Sequence, residues 1–319
     1  MYADERLYEM KKISMFIMIA MLAIGFLVAC APQAAPAAEE IVEPPAFTGG
    51  SGRIAFGAQM EDKDQYEIFV LDLSTGEVTR LTKNGFADIS PSWSPQGDRI
   101  VYASNVKGIY DIFSMDGLGN EQTQVLDMDG DDTEPTWMPG DSESVIVFQS
   151  NTYGDYDIFT YNLDTEKSTQ LTKSDAQETQ ANWSPDGKQI AYVSNADEDF
   201  DIYVMNANGT QPTQLTKNKA YDSTPVWSPD GQRLAFISKR DPDPHFHLYL
   251  MNADGSGEEQ LTQSDYTDHS PAWSPDGQHL AFISETPQGS RIMVMNIISR
   301  DVYSLLSGYY DYARLSWTK

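Results

Sequence analysis

All six tryptophans of this chain occupy one position of a repeat. They stand at Trp93, Trp137, Trp183, Trp227, Trp273 and Trp317, spaced by 44, 46, 44, 46 and 44 residues. Around Trp93, Trp183, Trp227 and Trp273 the sequence reads Trp-Ser-Pro, then Asp or Gln, then Gly and an apolar strand, as in Asn182 to Ser194. A worn copy surrounds Trp137, and a stub ends the chain at Trp317. A period of about 40–45 residues with several short strands per unit signals a β-propeller, one blade per repeat.

Each unit divides into four strands. The first ends in the Trp, as in Ser223 to Trp227, and a Ser-Pro-Asp-Gly turn follows, its Pro and Gly supplying the angles of a tight hairpin. The second strand alternates (Leu234 to Ser238), the third resembles Asp201 to Met205, and the fourth ends in Leu-Thr at residues 81–82, 171–172, 215–216 and 261–262. The array opens on a second strand at Gly52-Arg53-Ile54 and ends on a first strand, Ala313 to Lys319. The expected fold is therefore all-β, a six-bladed propeller of four-stranded blades whose C-terminal strand completes the first blade. Such closure removes the open edges along which sheets aggregate.

Ahead of the array, Lys11-Lys12 precede an apolar run from Ile13 to Val28 that ends Leu27-Val28-Ala29-Cys30. A basic segment, an apolar stretch and a small-residue junction make a secretory signal. The last four residues resemble the lipobox of bacterial lipoproteins, which implies lipidation of Cys30 after cleavage. Met10 is a second plausible start. An Ala- and Pro-rich stretch follows, a semi-extended tether. The expected organisation is a lipoprotein signal peptide at 1–29, a lipidated Cys and tether at 30–51, and the propeller at 52–319.

The repeat itself resembles the propeller repeats of TolB-like proteins, also called WD-repeat-like, over residues 52–319. That resemblance implies a six-bladed propeller of the bacterial cell envelope that binds partner proteins, among them a peptidoglycan-associated lipoprotein. Together with the lipobox-like Cys30 and the Ala31 after it, this implies a location outside the cytoplasmic membrane, held by a lipid anchor, on the periplasmic side of the outer membrane where the cell has one.

With 21 Lys and Arg against 48 Asp and Glu, the formal charge is -27. Such a surface repels phosphate backbones, so nucleic acid is excluded as a partner, and basic or cation-bridged envelope proteins fit better. Cys30 is the only cysteine, so no intramolecular disulfide forms. The chain is expected to be a monomer.

Five residues before each of the first five tryptophans stands an acid: Asp88, Asp132, Glu178, Asp222 and Asp268. The first strands should line the central channel, so these carboxylates are expected at its mouth. They could accept hydrogen bonds from their own loops. Alternatively they form a socket for a basic partner or a divalent cation such as calcium, which would relieve their mutual repulsion. The aromatics Tyr221, Tyr266 and Tyr310 share that face and suit a partner-binding surface.

A second repeated acid opens the third strand (Glu67, Asp111, Asp157, Asp201) and reads as structural; His247 and Arg291 take its place in blades five and six. His245, His247 and His269 are candidate ligands of a transition metal. They carry the alternative function, a metal-dependent enzyme acting on polysaccharide; a sensor of small ligands or glycans is a third reading. No nucleophile elbow, phosphate loop or dinucleotide fingerprint occurs. The expected function is a non-catalytic, protein-binding module without a cofactor.

Overall fold

Six antiparallel sheets of four strands each follow one another around a closed ring. The computed structural model describes residue 47 and residues 51–60, 65–140, 144–240, 242–308 and 311–319, all within one compact unit. The first strands are Asp88–Trp93, Asp132–Trp137, Glu178–Trp183, Tyr221–Trp227, Thr267–Trp273 and Asp311–Thr318. Each touches the first strand of the next blade all the way round, so together they form the inner wall of the propeller.

The chain ends close the ring as the repeat phase predicts. Arg53–Gln59 pairs on one side with Tyr66–Asp72 and on the other with Asp311–Thr318, from Arg53 opposite Thr318 to Gln59 opposite Asp311. Blade one is thus built from both ends of the array.

The core lies between blades, because a strand's alternate side chains face opposite neighbours. Trp93 packs with Ile68 and Val70 of blade one and with Ile100, Tyr102 and Met115 of its own blade. Trp137 packs with Val101, Ala103 and Ile112 of blade two. The guanidinium of Arg53 lies 4.4 Å above the Trp93 ring, and Arg99 and Arg233 cover Trp137 and Trp273 in the same way. At these three junctions the stacking joins one blade to the next through a cation–π contact.

The Ser-Pro-Asp-Gly turns form one end of the ring. In blade four the Ser184 hydroxyl donates to Asp186 at 2.8 Å and accepts the Gln189 N–H at 2.9 Å. Gly187 closes that turn at φ 67°, a conformation that favours a residue without Cβ. The loops entering the first strands form the opposite end, called here the mouth face.

Candidate partner-binding mouth and channel ring

The five repeated acids are buried, each at most 4% exposed. They therefore do not form the open ring of charge expected from the sequence. Each sits in the seam between two blades, and a side chain of the entry loop holds four of the five. Asn84 donates to Asp88 at 2.6 Å, Asn218 to Asp222 at 2.9 Å and Ser264 to Asp268 at 2.9 Å, and Ser174 donates to Glu178. The Thr of the Leu-Thr ending completes the seam. Thr172 and Thr216 accept the N–H of Ile158 and Ile202 and donate to Asp157 at 3.0 Å and Asp201 at 2.8 Å.

Four seams thus bring the acid opening one blade's third strand (Glu67, Asp111, Asp157, Asp201) up to the acid of the next blade's first strand, and in a fifth His247 takes the third-strand place. The backbone enforces this: the N–H of Glu178, Asp222 and Asp268 donates to the carbonyl of Tyr156, Phe200 and Phe246, the residue just before the third-strand position. Burial is the first consequence for ionisation. Desolvation raises the Asp88, Glu178 and Asp222 carboxyls above the usual range, with Glu67 adding to it at Asp88 and Asp157 at Glu178. Desolvation likewise lifts Asp201 to about 6 and Asp132 to about 7.

The exposed part of the mouth face is different in kind. Phe86, Val106, Ile109 and Tyr153 are 40%, 39%, 39% and 71% exposed. Hydrogen bonds tie their loops into one platform across blades two and three. Asn105 accepts the Ala87 N–H at 2.8 Å, Asp131 accepts the Tyr110 N–H at 3.0 Å, and Asn151 accepts the Asp131 N–H at 2.7 Å. Asp127, Asp129 and Asp155 are exposed around these apolar side chains. Of the aromatics singled out by sequence, Tyr221 is half-buried between Phe200 and Phe246, at ring-centroid distances of 4.8 and 5.5 Å. Tyr266 is half-buried, its carbonyl accepting from Ser264. Tyr310 and Cys30 lie outside the described residues.

The channel wall carries a second six-fold feature, three residues before each Trp. Ser90, Glu134, Gln180, Thr224, Ser270 and Arg314 all take positive φ, between 29° and 57°. Each sits where the first strand slips register against the second, a β-bulge. The bulge lets their side chains meet round the axis. Ser90 donates to Glu134 at 2.8 Å, the Thr224 N–H donates to the Gln180 side chain at 2.9 Å, and Arg314 pairs with Glu134. Sequence reading missed these positions because the residue type changes in nearly every blade; only their fixed offset from Trp marks them.

The three histidines are not brought to one point. His245 and His247 share Asp243, at 3.1 and 2.8 Å, whereas His269 pairs with Glu285 at 3.2 Å and Ser270 at 3.0 Å. His247 is buried where other blades place an acid, 4.0 Å from Asp268, so it completes a seam and does not open onto a cleft. Among the described residues no group of three or more His, Cys, Asp or Glu side chains is arranged to hold a metal.

A family model described as the TolB beta propeller domain matches residues 32–202 and 181–317. The Tol-Pal system protein TolB of Nitrosospira multiformis is 33% identical over 76 residues, 24% of this chain and 17% of that protein. Its namesake from Acinetobacter baylyi is 37% identical over 81 residues, 23% and 17% of the two chains. These matches span about a sixth of the relatives' length. The crystal structure of TolB from Acinetobacter baumannii superimposes with a TM-score of 0.70 at 20% identity, over 83% of this chain and 66% of that one. The last likeness concerns the fold.

Proposed function

The chain belongs to the TolB β-propeller domain family, and from that premise we propose that it is a non-catalytic protein-binding module of the cell envelope. Its partners are envelope proteins that meet the mouth face over blades two and three. The observation that carries this reading is the platform of Phe86, Val106, Ile109 and Tyr153. Apolar side chains grouped on one rigid rim and surrounded by acids suit a protein partner with apolar anchors and a basic border. The relatives named as Tol-Pal system proteins lend support. The sequence Leu27-Val28-Ala29-Cys30 supports a lipid anchor at Cys30. Lipid labelling that persists in Cys30→Ser would remove that part of the reading.

The rim is tested by capture of envelope proteins with the double variant Phe86→Ser/Tyr153→Ser. A control, Leu118→Ser/Ile298→Ser, alters exposed apolar residues in strand-connecting turns away from the mouth face. The rim variant should lose the captured partner and the control should keep it. Capture should weaken as salt rises, because contacts between a basic border and the acids are screened. The reverse pattern, loss only in the control, would place binding elsewhere.

A further inference from the structure

One seam departs from the others. In four entry loops the first-strand acid has a Thr six residues before it and an Asn or Ser four before it: Thr82 and Asn84, Thr172 and Ser174, Thr216 and Asn218, Thr262 and Ser264. Ahead of Asp132 the same places hold Leu126 and Met128. Both polar partners are gone. Asp111 and Asp132 are 1% and 0% exposed, and all four of their carboxylate oxygens lack a hydrogen-bond partner. Ser150 and the Met128 N–H stand close enough to favour the charged form of Asp132. Neither meets hydrogen-bond geometry with it, and the Ser150 hydroxyl donates to Thr152 at 3.0 Å. The Asp132 N–H donates to the carbonyl of Tyr110 at 2.7 Å, which holds the backbones of Asp111 and Asp132 next to one another, and the two carboxyls interact.

Two carboxylates desolvated together require either a shared proton or a bound cation. Calcium takes about six to eight oxygen ligands, and Leu126 and Met128 remove the neutral oxygens that the other seams offer. We propose that Asp111 and Asp132 hold one proton between them at neutral pH, and that its loss loosens the 127–132 loop beneath the exposed rim. Desolvation and Asp111 together lift Asp132 to about 7, and desolvation raises Asp111 as well. The charged and titratable groups facing the pair are Lys107, Asp127 and Asp131 from the loops and Tyr156 from blade three. Lys107 is engaged by Asp127 at 2.8 Å on the exposed side, and Asp131 accepts from Tyr110. Lys107 is the one cation among these groups. The loop in question carries the Asp131 and Tyr110 contacts that join Val106 and Ile109 to Tyr153. Any effect on partner binding rests on the mouth-face reading above, whereas the shared proton does not.

The test is a carboxyl-carbon NMR titration of the full chain without partner, read beside amide exchange at Asp132. One carboxyl resonance should titrate near neutrality in the wild type and disappear in Asp132→Asn. With the folded value raised, the seam is tightest in acid. Opening of the Asp132 amide should therefore grow about tenfold per pH unit between pH 5 and pH 7, then level off. Asp111→Asn and Asp132→Asn should flatten that rise. Both carboxyls titrating below pH 5 would overturn the proposal. So would saturable calcium binding at pH 7, with calcium alone as the probe, that is lost in Asp132→Asn. The wild-type titration decides even where a variant fails to fold, and a failed capture experiment leaves it untouched.

Discussion

Arg314, in the strand that closes the ring, pairs with Glu134 in the first strand of blade three, two blades away. The contact passes over blade two, whose Ser90 donates to the same carboxylate. It joins the last strand made to the middle of the array through the channel. The pair keeps 19% and 22% side-chain exposure, so solvent weakens it only in part.

Removing one partner should leave the other charge poorly solvated inside the channel. Arg314→Met or Glu134→Gln is expected to destabilise the propeller by about 2–4 kcal/mol, at or below the range for breaking a buried pair. The double variant should recover part of that loss, because no orphaned charge remains. Urea melts of the three variants measure it. Additive losses in the double variant would mean that the two side chains do not interact.

Closure gives a second expectation. Deleting residues 312–319 removes Trp317 and nearly all of the strand paired with Arg53–Gln59. Trp317 is only partly buried, but the deletion also removes the buried Tyr312 and Leu315. Loss of one fully buried large aromatic side chain costs about 3–5 kcal/mol, against about 5–15 for a whole domain. The truncated chain should unfold, or associate through the exposed edge of blade one. Size-exclusion chromatography and thermal melting check this; a monomer with unchanged melting would contradict the closure energetics.

The architecture was legible because it rests on spacing. Six tryptophans at one offset, with a second strand at the start and a first strand at the end, specify blade number and closure together. The acids were legible as a repeat but not in their setting. Asp222 looks like a channel-mouth charge until its seam is seen, where Asp201, 21 residues upstream, and Thr216 meet it. Nothing local in the sequence announces that a strand-opening acid will face the acid of another blade. The bulge residues were harder still. Ser90, Glu134 and Arg314 share a left-handed backbone without the Gly or Asn that usually betrays one. His247 shows the reverse error: a conspicuous residue type suggested chemistry where the position is a packed seam.

The buried seams also set how stability depends on pH. Asp132 and Asp201, at about 7 and about 6 when folded, bind protons more tightly in the native state than in the unfolded chain. A raised folded value means that their contribution is fully present below about pH 4 and is lost as pH rises toward 6 and 7. The exposed turn acids act with the opposite sign. Asp243 is lowered to about 2 by the His245 N–H and by His247. Ser184 and Ser228 hold Asp186 and Asp230 below the usual range. Their contribution is present above about pH 4 and is lost as pH falls through their folded values. The two groups together place maximal stability near pH 4, well on the acid side of neutrality. A charge of -27 adds self-repulsion that grows in the same direction as the seam effect. Chemical denaturation from about pH 3 to pH 8.5 should therefore give a maximum near pH 4 and a decline through pH 7. In Asp132→Asn the decline between pH 5 and pH 7 should shrink, since one of the two steepest titrations is gone. A wild-type profile that instead climbs from pH 5 to pH 7 would show that these seam carboxyls ionise with little penalty, and that burial in the seams does not control their charge.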